Sequence, residues 1–116
     1  FICLNFANPD MVGHTGNFSA TVSACEAVDD CMGKVVDMCM DNNYSIIIIA
    51  DHGNSDVMIN EDGSANTSHT TNPVPIIVVD KDVEKVDDGI LADVAPTILK
   101  LLSVEKPKLM TGKILI

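Results

Sequence analysis

The sequence predicts an α/β fold, and three observations carry that expectation. A strand-like run sits at residues 2 to 6, Ile2-Cys3-Leu4-Asn5-Phe6; a long amphipathic stretch follows; and an unbroken, largely β-branched run, Tyr44-Ser45-Ile46-Ile47-Ile48-Ile49-Ala50, comes next. Strand, helix and strand in that order make a βαβ unit, whose right-handed crossover would set the two strands parallel.

Taken in order, the first run leads into a loop over residues 7–17 that carries Asn8-Pro9 and two glycines. A helix is expected from Phe18 or Ser19 to about Asp41. Its apolar face is Val22, Cys25, Val28, Met32, Val35, Val36 and Cys39, close to the i, i+3, i+4 spacing, with Glu26, Asp29, Asp30 and Asp37 on the other side. Ser19 reads as its N-cap. Asn42-Asn43 ends it, and the isoleucine run that follows has the composition of a central strand buried on both faces. Residues 51–72 are polar and lack helical period, with a small hairpin expected around Glu61-Asp62-Gly63. A third strand is expected at Val74 to Val79, antiparallel to the second because no crossover helix carries the chain back. After an acidic, turn-like stretch from Asp80 to Gly89, a second helix is expected at Ile90 to Leu102. Its regular part should begin at Asp93-Val94-Ala95, where Pro96 is tolerated in the first turn.

With 116 residues, 47% of them hydrophobic and 21% charged, the chain suits one compact domain over residues 1–116. Four aromatic residues, three Phe and one Tyr, leave the core to Ile, Val, Leu and Met. Seventeen acidic residues against seven lysines, with no arginine, give a net charge of -10 and argue against nucleic acid as a partner. The missing arginine also removes the usual bidentate clamp for a phosphate or carboxylate. Cys3, Cys25, Cys31 and Cys39 have no C-x-x-C spacing and read as reduced, buried thiols, which favours a reducing, cytoplasmic setting. The longest apolar run is far short of the roughly 20 residues of a membrane helix. Phe1 leads straight into the first apolar run, as a segment cut from a longer protein would.

The chemistry rests on three histidines, His14, His52 and His69, all in expected loops. Asp10-Met11-Val12-Gly13-His14 places a carboxylate and an imidazole four apart after the first strand, and Asp51-His52 follows the second directly. Parallel strands would deliver both loops to one carboxyl edge, where open α/β sheets carry their sites. Taken singly, Asp51 is as readily a strand-end turn residue, His69 a loop histidine and Asp10 a cap for backbone amides. Jointly, two Asp and three His form a mixed oxygen and nitrogen set. Such a set suits Mn²⁺ or Zn²⁺ better than the all-oxygen cage of Ca²⁺. Five ligands exceed one closed site, and two adjacent ions fit the count, as in enzymes of phosphoryl transfer. Gly13-His14-Thr15-Gly16 lacks the lysine and Ser/Thr of a P-loop.

Asn5 to Gly16, Ala50-Asp51-His52-Gly53-Asn54 and His69-Thr70-Thr71-Asn72-Pro73-Val74-Pro75 closely resemble cofactor-independent phosphoglycerate mutases of the alkaline phosphatase superfamily. Leu91 to Leu99 and Met110-Thr111-Gly112-Lys113 extend the resemblance over essentially the whole chain. It implies a three-layer α/β domain with helices on both faces of a mixed, mostly parallel sheet, of which this chain is the C-terminal part. It further implies an isomerase of glycolysis that interconverts 3-phosphoglycerate and 2-phosphoglycerate through a phosphoserine, without 2,3-bisphosphoglycerate. Two Mn²⁺ ions would serve it, with Zn²⁺, Co²⁺ or Mg²⁺ as substitutes.

Residue by residue, Asp10, His14 and His69 match the ligands of one ion, and Asp51 and His52 match ligands of the other. The nucleophilic serine, a further aspartate and the arginine-bearing clamp have no match here. No catalytic residue is therefore expected in this chain, which alone should not turn over substrate and should self-associate through uncovered sheet. The competing readings are another superfamily phosphatase or a phosphopentomutase, and a truncated, non-catalytic metal-binding or interaction module. Asn8-Pro9-Asp10-Met11-Val12-Gly13-His14 and His69 to Pro75 speak against the first of these.

Overall fold

The computed structural model describes residues 1–116. In chain order it contains α1 (Asn8–Gly13), α2 (Phe18–Asp41), β1 (Ile46–Ile49), β2 (Ile76–Val79), a 3₁₀ turn (Leu91–Asp93) and α3 (Val94–Leu101). No helix is long and apolar enough to cross a membrane. The chain forms two compact units: Phe1–Met38 with His52–Val74, and Cys39–Asp51 with Pro75–Ile116.

In the first unit, residues 2 to 6 take part in no strand, which corrects the expected opening β-strand. Ile2 and Leu4 are exposed. β-propensity expresses fit to a pleated surface beside a hydrogen-bonding neighbour, and no strand of this chain pairs with these residues. The parallel βαβ pairing therefore does not form within the chain.

The loop expected after it is partly helical. Pro9 at the start of α1 has its fixed φ and lacks the N–H that the first turn leaves unused anyway. One and a half turns follow, enough to bring residues 10 and 14 to the same face. The cap of α2 is Asn17, not Ser19: its side-chain Oδ1 accepts from the Ala20 amide at 3.0 Å, and its carbonyl takes the Thr21 amide at 3.0 Å. Along α2 the covered residues are Thr21, Ala24, Val28, Met32, Val35, Val36 and Cys39, while Val22 and Cys25 are exposed. The expected hairpin forms: Ile59 bridges Ala65, the Asn60 amide bonds the Ser64 carbonyl at 2.8 Å, and Gly63 takes φ +82° in the turn. All four cysteines are free, as expected, but Cys3, Cys25 and Cys31 are exposed and Cys39 is half-buried, which corrects the buried reading.

Gly33 lies on an open face of α2, where an added Cβ meets nothing within 4 Å. Replacing it by alanine is expected to stabilise the protein by about 0.5–1 kcal/mol, since glycine is the costlier residue in a helix interior. A lower midpoint in thermal or denaturant unfolding would contradict this.

In the second unit, α2 ends in a Schellman arrangement. Asn43 is left-handed at φ +57°, the Tyr44 amide reaches the Cys39 carbonyl at 2.9 Å, and the Asn43 amide reaches Met40 at 3.1 Å. β1 and β2 pair antiparallel, as expected, in the register Ile46↔Val79 through Ile49↔Ile76. Directly opposed residues share a face of this ribbon, so Ile49 and Ile77, both exposed, lie on opposite faces. The isoleucine run is half-buried rather than buried on both sides, because this sheet has two strands only.

Pro96 falls in the first turn of α3, as expected, and is buried. The centre of this unit is polar. Asp93 accepts from the amides of Ile90 (2.9 Å) and Lys113 (2.8 Å), and these bonds hold its carboxyl below the ordinary 3.8 against the opposing effect of burial. Fully buried Thr97 donates to the Asp93 carbonyl at 2.7 Å and accepts from the Leu115 amide at 3.1 Å. Each buried polar group here has a partner, which is the condition for burying it at all.

Candidate metal centre

The candidate centre lies within the first unit. Asp10 on α1 and His14, the residue that caps its C-terminus, stand one turn apart, with the His14 Nε2 3.3 Å from Asp10 Oδ1. Two loop segments meet where the Thr70 amide donates to the Gly53 carbonyl at 2.8 Å. His52 and His69 immediately precede those two residues, so one backbone contact lays their rings together, with centroids 3.7 Å apart and planes 18° from parallel.

All three imidazoles then face one oxygen. His69 Nε2 is 3.1 Å and His52 Nε2 4.0 Å from Asp10 Oδ1, and His14 Nε2 is 3.1 Å from His69 Nε2. Asp10, His52 and His69 offer ligand atoms within 4.8 Å of one another, and His14 adjoins them. Asp51 is exposed and is grouped with the second unit.

The protonation of His14 follows from its partners. Its Nδ1 is 2.7 Å from the Thr67 carbonyl, which can only accept, so Nδ1 carries a proton and Nε2 is the nitrogen left to face a ligand. A ligand histidine tied through its other nitrogen to a carbonyl is the usual outer support of a metal centre. Two ring nitrogens 3.1 Å apart beside a carboxylate need a proton or a cation between them. Donors about 2.0–2.1 Å from a tetrahedral ion stand roughly 3.4 Å apart, close to the spacing seen here. The set therefore fits a borderline divalent cation. The ligands are a third to a half exposed, which leaves the centre open on one side.

Asn54 is a site residue that the sequence reading did not single out. It is buried, and its Nδ2 donates to Asp10 Oδ1 at 2.9 Å and reaches the His14 Nε2 at 3.3 Å. Burial raises the Asp10 carboxyl, but the Asn54 bond and the charges that His14, His69 and His52 carry when protonated outweigh it, and the group sits below its ordinary 3.8. Gly13 makes room for this: a Cβ there would lie 2.1 Å from the Asn54 Oδ1. The next two residues also act as ties. Ser55 donates to the Pro9 carbonyl at 2.9 Å, and Asp56 accepts from Thr70 and Asn72. The one signal in the sequence was the polar run Gly53-Asn54-Ser55-Asp56 directly after His52.

Comparison with known proteins gives a consistent result. Residues 1–106 match the model of the metalloenzyme superfamily. The chain is 61% identical over 111 residues to the 2,3-bisphosphoglycerate-independent phosphoglycerate mutase of Flavobacterium johnsoniae, and 60% identical to that of Flavobacterium psychrophilum. Each match covers 96% of this chain and 22% of the relative. A crystal structure of Leishmania mexicana phosphoglycerate mutase at low cobalt concentration superposes with a TM-score of 0.81 at 34% identity, over 97% of this chain and 24% of that one. The chain thus spans less than a quarter of the length of these relatives.

Proposed function

The chain belongs to the metalloenzyme superfamily, and from that premise we propose that it is the metal-binding segment of a phosphoglycerate mutase, an isomerase that moves a phosphoryl group between the 3- and 2-positions of glycerate. The observation that carries the proposal is the convergence of three imidazole nitrogens on Asp10 Oδ1, in a chain 60% identical to such mutases over 111 residues.

Asp10, His14 and His69 would hold one Mn²⁺. The shorter approaches of His14 and His69 to Asp10, 3.3 and 3.1 Å against 4.0 Å for His52, support that grouping. His52 and Asp51 would begin a second site, completed by residues of the rest of the enzyme, among them the nucleophilic serine that becomes phosphorylated. A bound divalent ion supplies Lewis-acid stabilisation to phosphoryl oxygens. This chain's own residues do the holding. Asn54 fixes the carboxylate, Thr67 fixes the tautomer of His14, and the Gly53–Thr70 pairing keeps His52 and His69 in register. In this reading the protein is a soluble, cytoplasmic enzyme with phosphoglycerate as its substrate, and Zn²⁺, Co²⁺ or Mg²⁺ can stand in for Mn²⁺.

Calorimetric titration of Mn²⁺ into the metal-stripped 116-residue chain, beside a His69→Ala variant, tests the reading. One saturable site is expected in the parent chain, with affinity lowered at least about 100-fold in the variant, beyond the 10–100-fold typical of an outer-shell loss. The same preparation should show no mutase turnover. Equal binding by parent and variant would overturn the ligand assignment, and turnover by this chain alone would overturn the division of labour.

A further inference from the structure

Asp56 is no member of the ligand cluster, yet it braces both loops that carry His52 and His69. Its Oδ2 accepts from the Thr70 hydroxyl at 2.8 Å and from the Asn72 side-chain amide at 2.7 Å. Thr70 directly follows His69, and Asp56 lies four residues after His52. Between the two loops the backbone contributes one pairing, Gly53 with Thr70. A single bridge is a weak hinge that permits rotation about itself. The Asp56 carboxylate adds two further attachments on the same side. Packing there is tight: a Cβ on Gly53 would lie 2.2 Å from Thr70 Oγ1 and 2.7 Å from Asp56 Oδ1. An ionised carboxylate is the suitable group, because it accepts only and one oxygen can take both donors.

We propose that Asp56 is a positioning residue of the metal centre, whose carboxylate latches the segment Thr70–Asn72 to the turn Gly53–Asp56 and thereby holds the rings of His52 and His69 stacked and aimed at Asp10. The proposal deepens the metal-centre reading and rests on it for one of its two readouts. The other readout needs no ion.

The experiment uses the full chain labelled with ¹³C-histidine, and compares parent, Asp56→Ala and Asp56→Asn. In the metal-free state, rings stacked at 3.7 Å shift each other's proton signals. Asp56→Ala is expected to move the His52 and His69 signals toward unstacked values, with a smaller change at His14, which touches His69 across 3.1 Å but stays tied to Thr67. Mn²⁺ affinity should fall about 10–100-fold, the usual cost of losing a second-layer partner. Asp56→Asn keeps the shape and one accepting oxygen with weaker bonds, and should recover part of both losses.

Unchanged His52 and His69 signals in Asp56→Ala would overturn the proposal. So would an equal displacement of all three histidines, which marks general loosening. If Asp56→Ala does not fold, Thr70→Val and Asn72→Ala each remove one donor. Each is then expected to produce part of the same selective shift, and no shift in either overturns the latch. Should the parent chain bind no Mn²⁺, the metal-centre reading fails while the ring signals still decide on Asp56.

Discussion

Asp10→Asn is expected to lower Mn²⁺ affinity by more than about 100-fold, the largest loss of any single substitution in this chain. The Oδ1 of Asp10 is the point on which His14, His52 and His69 converge and to which Asn54 donates. The substitution keeps the volume and removes the only negative charge of the set. What remains is neutral imidazole and amide, and the loss should exceed the 10–100-fold that typically follows removal of an outer-shell partner. The carboxyl is held below its ordinary 3.8 and is therefore already ionised near neutral pH. The change thus reports a lost anionic ligand and not a shifted titration. Half-buried Asp10 carries no core packing, so far-ultraviolet circular dichroism should match that of the parent. Calorimetry showing affinity within threefold of the parent would remove Asp10 from the centre.

Gly13→Ala should damage both stability and the centre, although helix propensity argues the other way. Alanine is favoured over glycine in a helix interior by about 1 kcal/mol, and Gly13 is the last residue of α1. The contact decides the sign. The new Cβ would sit 2.1 Å from Asn54 Oδ1 and 2.9 Å from its Cγ. Relieving that overlap requires moving a buried side chain, and overpacking of this kind costs typically about 1–3 kcal/mol. Since Asn54 is the hydrogen-bond donor to Asp10, its displacement should also weaken Mn²⁺ binding about 10–100-fold. Gly33→Ala on the open face of α2 provides the contrast, with a gain in stability and no effect on metal. If Gly13→Ala bound Mn²⁺ as tightly as the parent, Asn54 would not be what orients Asp10.

The parts of the fold legible in the sequence are those governed by local pattern. The helix from Phe18 to Asp41 follows from its apolar period and its Asn42-Asn43 stop, and the structure ends it with Asn43 left-handed. Pro96 marks the first turn of α3, and the polar stretch before Val74 implies the antiparallel pairing of β1 with β2. The reading failed where a residue's role depends on a distant neighbour. Residues 2 to 6 have strand composition and no strand beside them. Asn17 and Ser19 are both good caps, and only the path of the preceding turn places the Asn17 side chain over the Ala20 amide. The short helix α1 was concealed by Asn8-Pro9 and the flanking glycines, which read as a loop.

For the candidate centre, residue chemistry was enough to single out His14, His52, His69, Asp10 and Asp51, because few side chains can serve as metal ligands and this chain has just three histidines. Composition alone also determined that this chain carries no arginine and a strong negative charge. Tertiary structure decided which of these groups share one point in space, and which residues hold them there. Asn54 reaches Asp10 across 44 residues of sequence and His14 meets Thr67 across 53. Those pairings are set by where two loops cross, at Gly53 and Thr70. Local sequence pattern records the preference of each residue for a backbone shape and for water. It carries no information on which carbonyl or amide a folded loop will bring within 3 Å.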